Sequence, residues 1–175
     1  MLSKQDNHLL TRTGPGTPMG ELFRRYWIPA LKSDEIKPDG KPQRVRLLGE
    51  DLIAFRDTEG KVGLMEEACP HRGTSLYFGI NDGCGLTCMY HGWKFNTKGE
   101  CTDIPSEKGD PKFRKKIKIK SYPVKEVKGM IWTYMGPEEE QPEFPEFYWM
   151  GLPDDYMMSE RVWQECNYAQ VMEND

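Results

Sequence analysis

Cys69-Pro70-His71-Arg72-Gly73 and Cys88-Met89-Tyr90-His91-Gly92-Trp93 are the two stretches on which this chain of 175 residues turns. Each sets one Cys close to one His and carries Gly, and sixteen residues lie between His71 and Cys88. Both sit just past short apolar runs, which places them at loop tips. Before the first box, Val45-Arg46-Leu47-Leu48 and Leu52-Ile53-Ala54-Phe55 flank Gly49-Glu50-Asp51 as a hairpin. Asp57-Thr58-Glu59-Gly60 then turns the chain into Val62-Gly63-Leu64-Met65. After the second box, Asn96-Thr97-Lys98-Gly99 reads as a turn. Lys116 to Lys120 alternates Lys and Ile with the period of a half-buried strand. Gly129 to Met135 is a continuous apolar and aromatic run suited to a core strand.

Turns at this spacing predict an all-β fold of small antiparallel sheets, a sandwich or barrel. An N-terminal helix precedes it: Thr17 caps, Pro18 takes the first helical position and Glu21 lies in the first turn. That helix is expected to run to about Tyr26 and stop before Pro29, leaving Leu22, Phe23, Tyr26 and Trp27 for packing. After Gly136 the composition changes. Pro137, Pro142, Pro145 and Pro153 punctuate an acidic, aromatic stretch that can be neither a central strand nor a regular helix. The expected organisation is a helical segment over 1–30, the β domain over 31–136, a Pro-rich linker over 137–160 and the start of a further domain over 161–175.

A net charge of −4 gives no reason to expect nucleic-acid binding. No stretch approaches the roughly 18 apolar residues of a membrane span. Met1 to Leu10 is polar and has no apolar signal core, so a cytoplasmic protein is expected. The cysteines number five, an odd count, and in a reducing compartment they suit metal ligands or buried thiols better than disulfides.

The two boxes suit a two-iron cluster, which needs two protein ligands per iron. Two facing loops can each give a thiolate to one iron and an imidazole to the other. Cys69 and Cys88 would then hold an inner iron, and His71 and His91 an outer one nearer solvent. Gly73 and Gly92 would let backbone amides come close to the sulfurs. Two neutral imidazoles in place of thiolates make such a [2Fe–2S] cluster easier to reduce, within roughly −150 to +300 mV. The alternatives are a zinc site or four unconnected residues. Zinc more often takes a Cys pair and a His pair than a mixed pair in each half. Two of the three His in the chain lie in the boxes, which argues against coincidence.

C-x-H and C-x₂-H in this order resemble the Rieske family. Respiratory-chain Rieske proteins carry a further Cys in each box, where Gly73-Thr74 and Met89-Tyr90 offer none. Trp93 replaces the Ser that follows the second His-Gly in those proteins. Both departures imply the low-potential branch of oxygenases and bacterial ferredoxins. Leu10-Thr11-Arg12-Thr13-Gly14-Pro15-Gly16-Thr17-Pro18-Met19-Gly20, Arg25-Tyr26-Trp27-Ile28-Pro29 and Arg46-Leu47-Leu48-Gly49-Glu50 narrow the resemblance. They are similar to phthalate 4,5-dioxygenase-like oxygenase α subunits over essentially the whole chain.

That resemblance implies an electron-transfer role in a ring-hydroxylating or demethylating oxygenase. Its partner would be an NADH-dependent flavin/iron–sulfur reductase, its assembly a trimer and its substrate an aromatic acid. It also implies an α+β catalytic domain, started at the C-terminus of this chain, with a mononuclear Fe(II) held by two His and a carboxylate. Glu165-Cys166-Asn167-Tyr168-Ala169-Gln170 and Glu173-Asn174-Asp175 resemble the opening of that domain's iron-binding helix. Its His ligands are expected only beyond residue 175, and Glu173 and Asp175 are read as solvated or capping carboxylates. A self-contained ferredoxin-like carrier is the alternative.

Lys112, Arg114, Lys115, Lys116, Lys118 and Lys120 form a basic stripe that could dock an acidic reductase. Protection of an edge strand is the preferred reading. Cys84, Cys101 and Cys166 are expected to be buried or incidental thiols, and Trp93 and Phe95 to cover the cluster or fill the core. His8 is expected on the surface of a mobile N-terminus.

Overall fold

The structure, a computed structural model, describes residues 2–106 and 111–173. Its strands run in chain order as β1 (Trp27–Lys32), β2 (Gln43–Leu47), β3 (Glu50–Arg56), β4 (Val62–Glu66), β5 (Ile80–Asp82), β6 (Gly85–Thr87), β7 (Lys94–Phe95), β8 (Cys101–Asp103), β9 (Val124–Val127) and β10 (Met130–Tyr134). They form three antiparallel sheets, ordered β1-β10-β9, β2-β3-β4 and β5-β6-β7-β8. This is the all-β architecture that the turn spacing predicts.

β3 is the wall between two cores. Successive side chains of a strand point to opposite faces. Leu52 and Ala54 therefore pack with Leu31, Val45, Leu64 and Ile131, while Ile53 and Phe55 pack with Met65, Leu76, Leu86 and Phe95. A strand covered on both faces reads as an unbroken apolar run, which is how Leu52-Ile53-Ala54-Phe55 is written. Each such Leu, Ile or Phe contributes about 1.5–3 kcal/mol by leaving water. Two polar side chains tie the sheets together. Arg56 makes a bidentate pair with Glu126 of β9, both bonds 2.8 Å long, and also donates to the carbonyls of Ile36 and Gly60. Buried Asn81 of β5 donates to the carbonyls of Gly40 and Arg56 at 3.0 and 2.7 Å.

The N-terminal arm holds two helices, α1 (Lys4–Thr11) and α2 (Pro18–Phe23). α2 starts as expected, with the Thr17 hydroxyl accepting from Gly20 N–H and Pro18 in the first turn, but it ends three residues short of Tyr26. The chain needs those residues to reach β1, an edge strand whose bulge falls between Pro29 and Leu31. Pro is tolerated there because an edge strand has ladder positions that need no donor. α1 stands where a mobile terminus was expected. Ser3 caps it by accepting from Asp6 N–H, and His8 is exposed on it.

The arm clasps the β2–β3 turn. That turn is tighter than expected: Leu48 and Gly49 alone form it, at φ 45° and 78°, and Glu50 already belongs to β3. Two left-handed residues match the twist of a hairpin. Gly49 also lies against the arm, since a Cβ there would sit 2.9 Å from the Gly14 Cα. Arg24 reaches across to Glu50 Oε1 at 2.5 Å and to the Leu48 carbonyl at 3.2 Å. Lys120 and the Tyr122 hydroxyl complete the shell on Glu50 Oε2, at 2.8 and 2.6 Å.

Lys116 to Lys120 is not a regular strand. α3 (Pro111–Lys116) occupies the start of the stretch, and only a single bridge, Glu100 to Lys118, pairs it afterwards. Its period of two survives as burial, with Ile119 inside and Lys118 and Lys120 outside. The preferred reading of the basic stripe as edge protection is corrected with it: Lys112, Arg114, Lys115 and Lys116 lie on a helix.

Beyond Gly136 the chain makes short 3₁₀ turns and covers one sheet with aromatic rings. Phe144 lies 5.4 Å from Trp27 and 5.6 Å from Trp132, and the Trp27 indole N–H donates to the Pro142 carbonyl at 3.0 Å. The short helix α4 (Tyr168–Met172) is capped by Asn167 and held by the arm. Asn167 Nδ2 donates to the Thr11 carbonyl, the Tyr168 hydroxyl donates to the Leu10 carbonyl, and Tyr168 meets Phe23 edge-on at 4.9 Å. No helix among the described residues is long and apolar enough to cross a membrane.

Candidate metal centre

The first box leaves the sheet just after β4, where Ala68 bridges Ser75 and pinches the loop. The second is the β6–β7 connection, closed by the Thr87–Lys94 pair. The two loops share one backbone frame. In the first, Cys69 N–H donates to the Thr74 carbonyl at 2.9 Å and Gly73 N–H returns to the Cys69 carbonyl at 2.8 Å. In the second, Cys88 N–H donates to the Trp93 carbonyl at 2.8 Å and Gly92 N–H returns to the Cys88 carbonyl at 2.9 Å. Gly73 and Gly92 take nearly identical left-handed conformations, φ 72° and 73°. A side chain at either would cost about 1–2 kcal/mol in backbone strain.

The frame brings the four side chains together in pairs. Cys69 and Cys88 lie buried beside each other in the core cluster that holds Phe55 and Phe95. His71 and His91 lie outside them, ring centroids 4.5 Å apart and planes at 62°. Among the described residues no three of His, Cys, Asp and Glu gather as ligands around one point. His71 is half-buried and His91 exposed.

The electrostatics suit a metal cluster. Burial pushes the Cys69 thiol up to about 11, and the neighbouring Cys88 adds to the shift despite backbone N–H groups that oppose it. Such a thiol becomes a thiolate at neutral pH only beside positive charge of the kind bound iron supplies. Burial, then the neighbouring His91 and the Arg72 guanidinium, lower the His71 pKa and favour the neutral imidazole that binds metals. The His71 Nδ1 is buried with no hydrogen-bond partner among the described residues. A buried nitrogen left unpaired is costly, and a metal bond would satisfy it. These features fit a [2Fe–2S] group ligated by two thiolates and two imidazoles.

Several neighbours close the site. The Trp93 indole stacks on His71, Tyr90 leans on His91 at 3.9 Å, and Phe95 is fully buried beneath. Pro105 is a contact the sequence did not flag: a Cβ on Gly92 would lie 2.8 Å from its Cγ. The remaining thiols lie outside both loops. Cys101 is buried, Cys84 partly buried and Cys166 exposed. Glu173 caps the end of α4, and Asn174 and Asp175 fall outside the described residues.

Residues 26–123 match the family described as the Rieske [2Fe–2S] domain. The chain belongs to that family. The Rieske chain is 45% identical, over its whole length and 40% of the relative's, to the 3-chlorobenzoate-3,4-dioxygenase oxygenase subunit of Comamonas testosteroni. It is 41% identical, over 99% of its length and 40% of the relative's, to the phthalate 4,5-dioxygenase oxygenase subunit of Pseudomonas putida. Among solved structures, apo dicamba monooxygenase superposes with a TM-score of 0.66 at 29% identity, covering 74% of this chain and 39% of that one. The Rieske chain thus spans about 40% of the length of these curated relatives.

Proposed function

We propose that Cys69 and Cys88 hold the inner iron of the Rieske cluster and His71 and His91 the outer iron. We further propose that the chain is the electron-transfer part of an aromatic ring-hydroxylating or demethylating oxygenase. The observation that carries the ligand assignment is the shared frame of the two loops, which sets a buried thiol pair beside a less buried imidazole pair, His71 half-buried and His91 exposed. When bound, such a cluster takes up and releases single electrons. The chain's own residues govern access to it. The cysteines keep the inner edge in an apolar core, away from water. The two imidazoles form the outer edge, where a donor or acceptor protein can approach.

The oxygenase reading rests on relatives whose names are those of dioxygenase and monooxygenase subunits. In it, an NADH-dependent flavin/iron–sulfur reductase supplies electrons, and they pass to a mononuclear Fe(II). That iron would lie in the part of the protein corresponding to the remaining 60% or so of the relatives' length. Residues 161–173, with α4, would lead into that part, the assembly would be a trimer in the cytoplasm, and the substrate an aromatic acid. The test is reduction of the reconstituted chain by NADH with a purified reductase of this class, followed as bleaching of the visible cluster absorbance. Rapid bleaching that depends on the reductase is expected. A chain with a full cluster that such a reductase leaves oxidised would contradict the reading.

A further inference from the structure

The two histidines have unlike neighbours. The Trp93 indole lies parallel to the His71 imidazole, centroids 4.5 Å apart and planes only 4° from each other. Trp93 is itself immobilised. Its side chain is buried in the cluster that holds Cys69, Cys88, Phe95 and Ile104, and its carbonyl accepts from Cys88 N–H at 2.8 Å. Apart from His71, 4.5 Å away and tilted by 62°, the ring beside His91 is that of Tyr90, tilted by 37°, and Tyr90 is 64% exposed.

The stack also crosses between loops, because Trp93 belongs to the second box and His71 to the first. Turning the His71 ring about its Cβ–Cγ bond would break a parallel contact with a neighbour that cannot follow. Water is kept off one face of the imidazole for the same reason. We propose that Trp93 is the positioning residue for His71: it fixes the plane of that ring and locks the two loops together. His71 is then the rigid member of the pair, and His91 the adaptable one. The proposal rests on the reading that both histidines bind the cluster. It predicts a dependence on planarity. A phenyl ring can stack on an imidazole, whereas an aliphatic side chain can fill the space without aligning the ring.

The experiment is pulsed EPR of the reduced, cluster-loaded chain, which resolves the nitrogen couplings of bound imidazoles, with the rate of cluster loss to a chelator as a second readout. Trp93→Phe should keep both nitrogen couplings and lose its cluster within about twofold of the parent rate. Trp93→Leu and Trp93→Met should shift one coupling, leave the other, and lose the cluster at least fivefold faster. Loss too fast to measure in both, with retention in Trp93→Phe, counts the same way. Tyr90→Leu should leave the coupling that Trp93→Leu shifts. Equal behaviour of Phe, Leu and Met, or joint movement of both couplings, would reduce Trp93 to core packing and overturn the proposal. A parent chain without two nitrogen couplings would instead overturn the ligand assignment beneath it.

Discussion

The four side chains proposed as ligands should be irreplaceable, and the thiols outside the two loops should not. His71→Ala or His91→Ala would leave an iron with one protein ligand, and iron and acid-labile sulfide should fall to background in either variant. Cys84→Ser and Cys101→Ser should keep full cluster content, since both thiols lie outside the two loops. Iron and sulfide analysis beside the EPR spectrum checks both statements, and a full cluster in either histidine variant would refute the assignment. The glycines are separable in the same way. Gly73→Ala meets nothing within 4 Å and should cost only the left-handed backbone strain, about 1–2 kcal/mol. Gly92→Ala bears the same strain and also meets Pro105, so its melting temperature should fall further. Equal losses in thermal melts would mean that Pro105 yields freely. The boxes could be read from sequence because a loop that presents Cys, His and Gly is a local object. The contact of Pro105 with Gly92 could not, since it joins residues thirteen apart through tertiary packing.

Among the elements, the clasp between the N-terminal arm and the β2–β3 turn depends on Glu50. Burial alone would raise its carboxyl pKa, but hydrogen bonds from Lys120, Tyr122 and Arg24 outweigh that and hold it below the ordinary value of 4.5. A carboxyl depressed in the folded state stabilises above its unfolded pKa, and the gain disappears as pH falls through the folded value. Glu50→Gln should therefore cost about 2 kcal/mol at neutral pH, the scale of hydrogen bonds to a charged group. The difference from the parent should close as the pH falls below about 4.5. Denaturant titrations at neutral and acidic pH measure it, and a gap that does not change with pH would mean the charge is immaterial. β2, β3, β4 and β10 were legible because apolar runs between turn residues mark strands. β1 was hidden by Pro29, which an edge position makes harmless. α1 and α3 were hidden because polar and basic stretches carry no apolar stripe. That Gly14 meets Gly49 and Arg24 meets Glu50 is invisible to any local pattern.

Taken whole, the molecule is a two-core β protein in which β3 links the sheets and its outer core supports the two loops. Among the described residues no three of His, Cys, Asp and Glu gather where a further, mononuclear iron could be held with the open positions that oxygen activation needs. His8, the histidine outside the boxes, lies exposed on α1. The 175-residue chain, loaded with its cluster and given reductase and NADH, should therefore pass electrons to cytochrome c. It should form no hydroxylated product from an aromatic acid, even with added Fe(II). Mass spectrometry after reaction under labelled O₂ checks this, and label in a product would require an iron site in these residues. The mixed thiolate and imidazole ligand set is tested most directly by the reduction potential of the cluster-loaded chain, measured by voltammetry. Two imidazoles on one iron predict a value within roughly −150 to +300 mV, towards its lower end. A value near about −400 mV, that of plant-type ferredoxins with four cysteine ligands, or no redox wave at all, would contradict it.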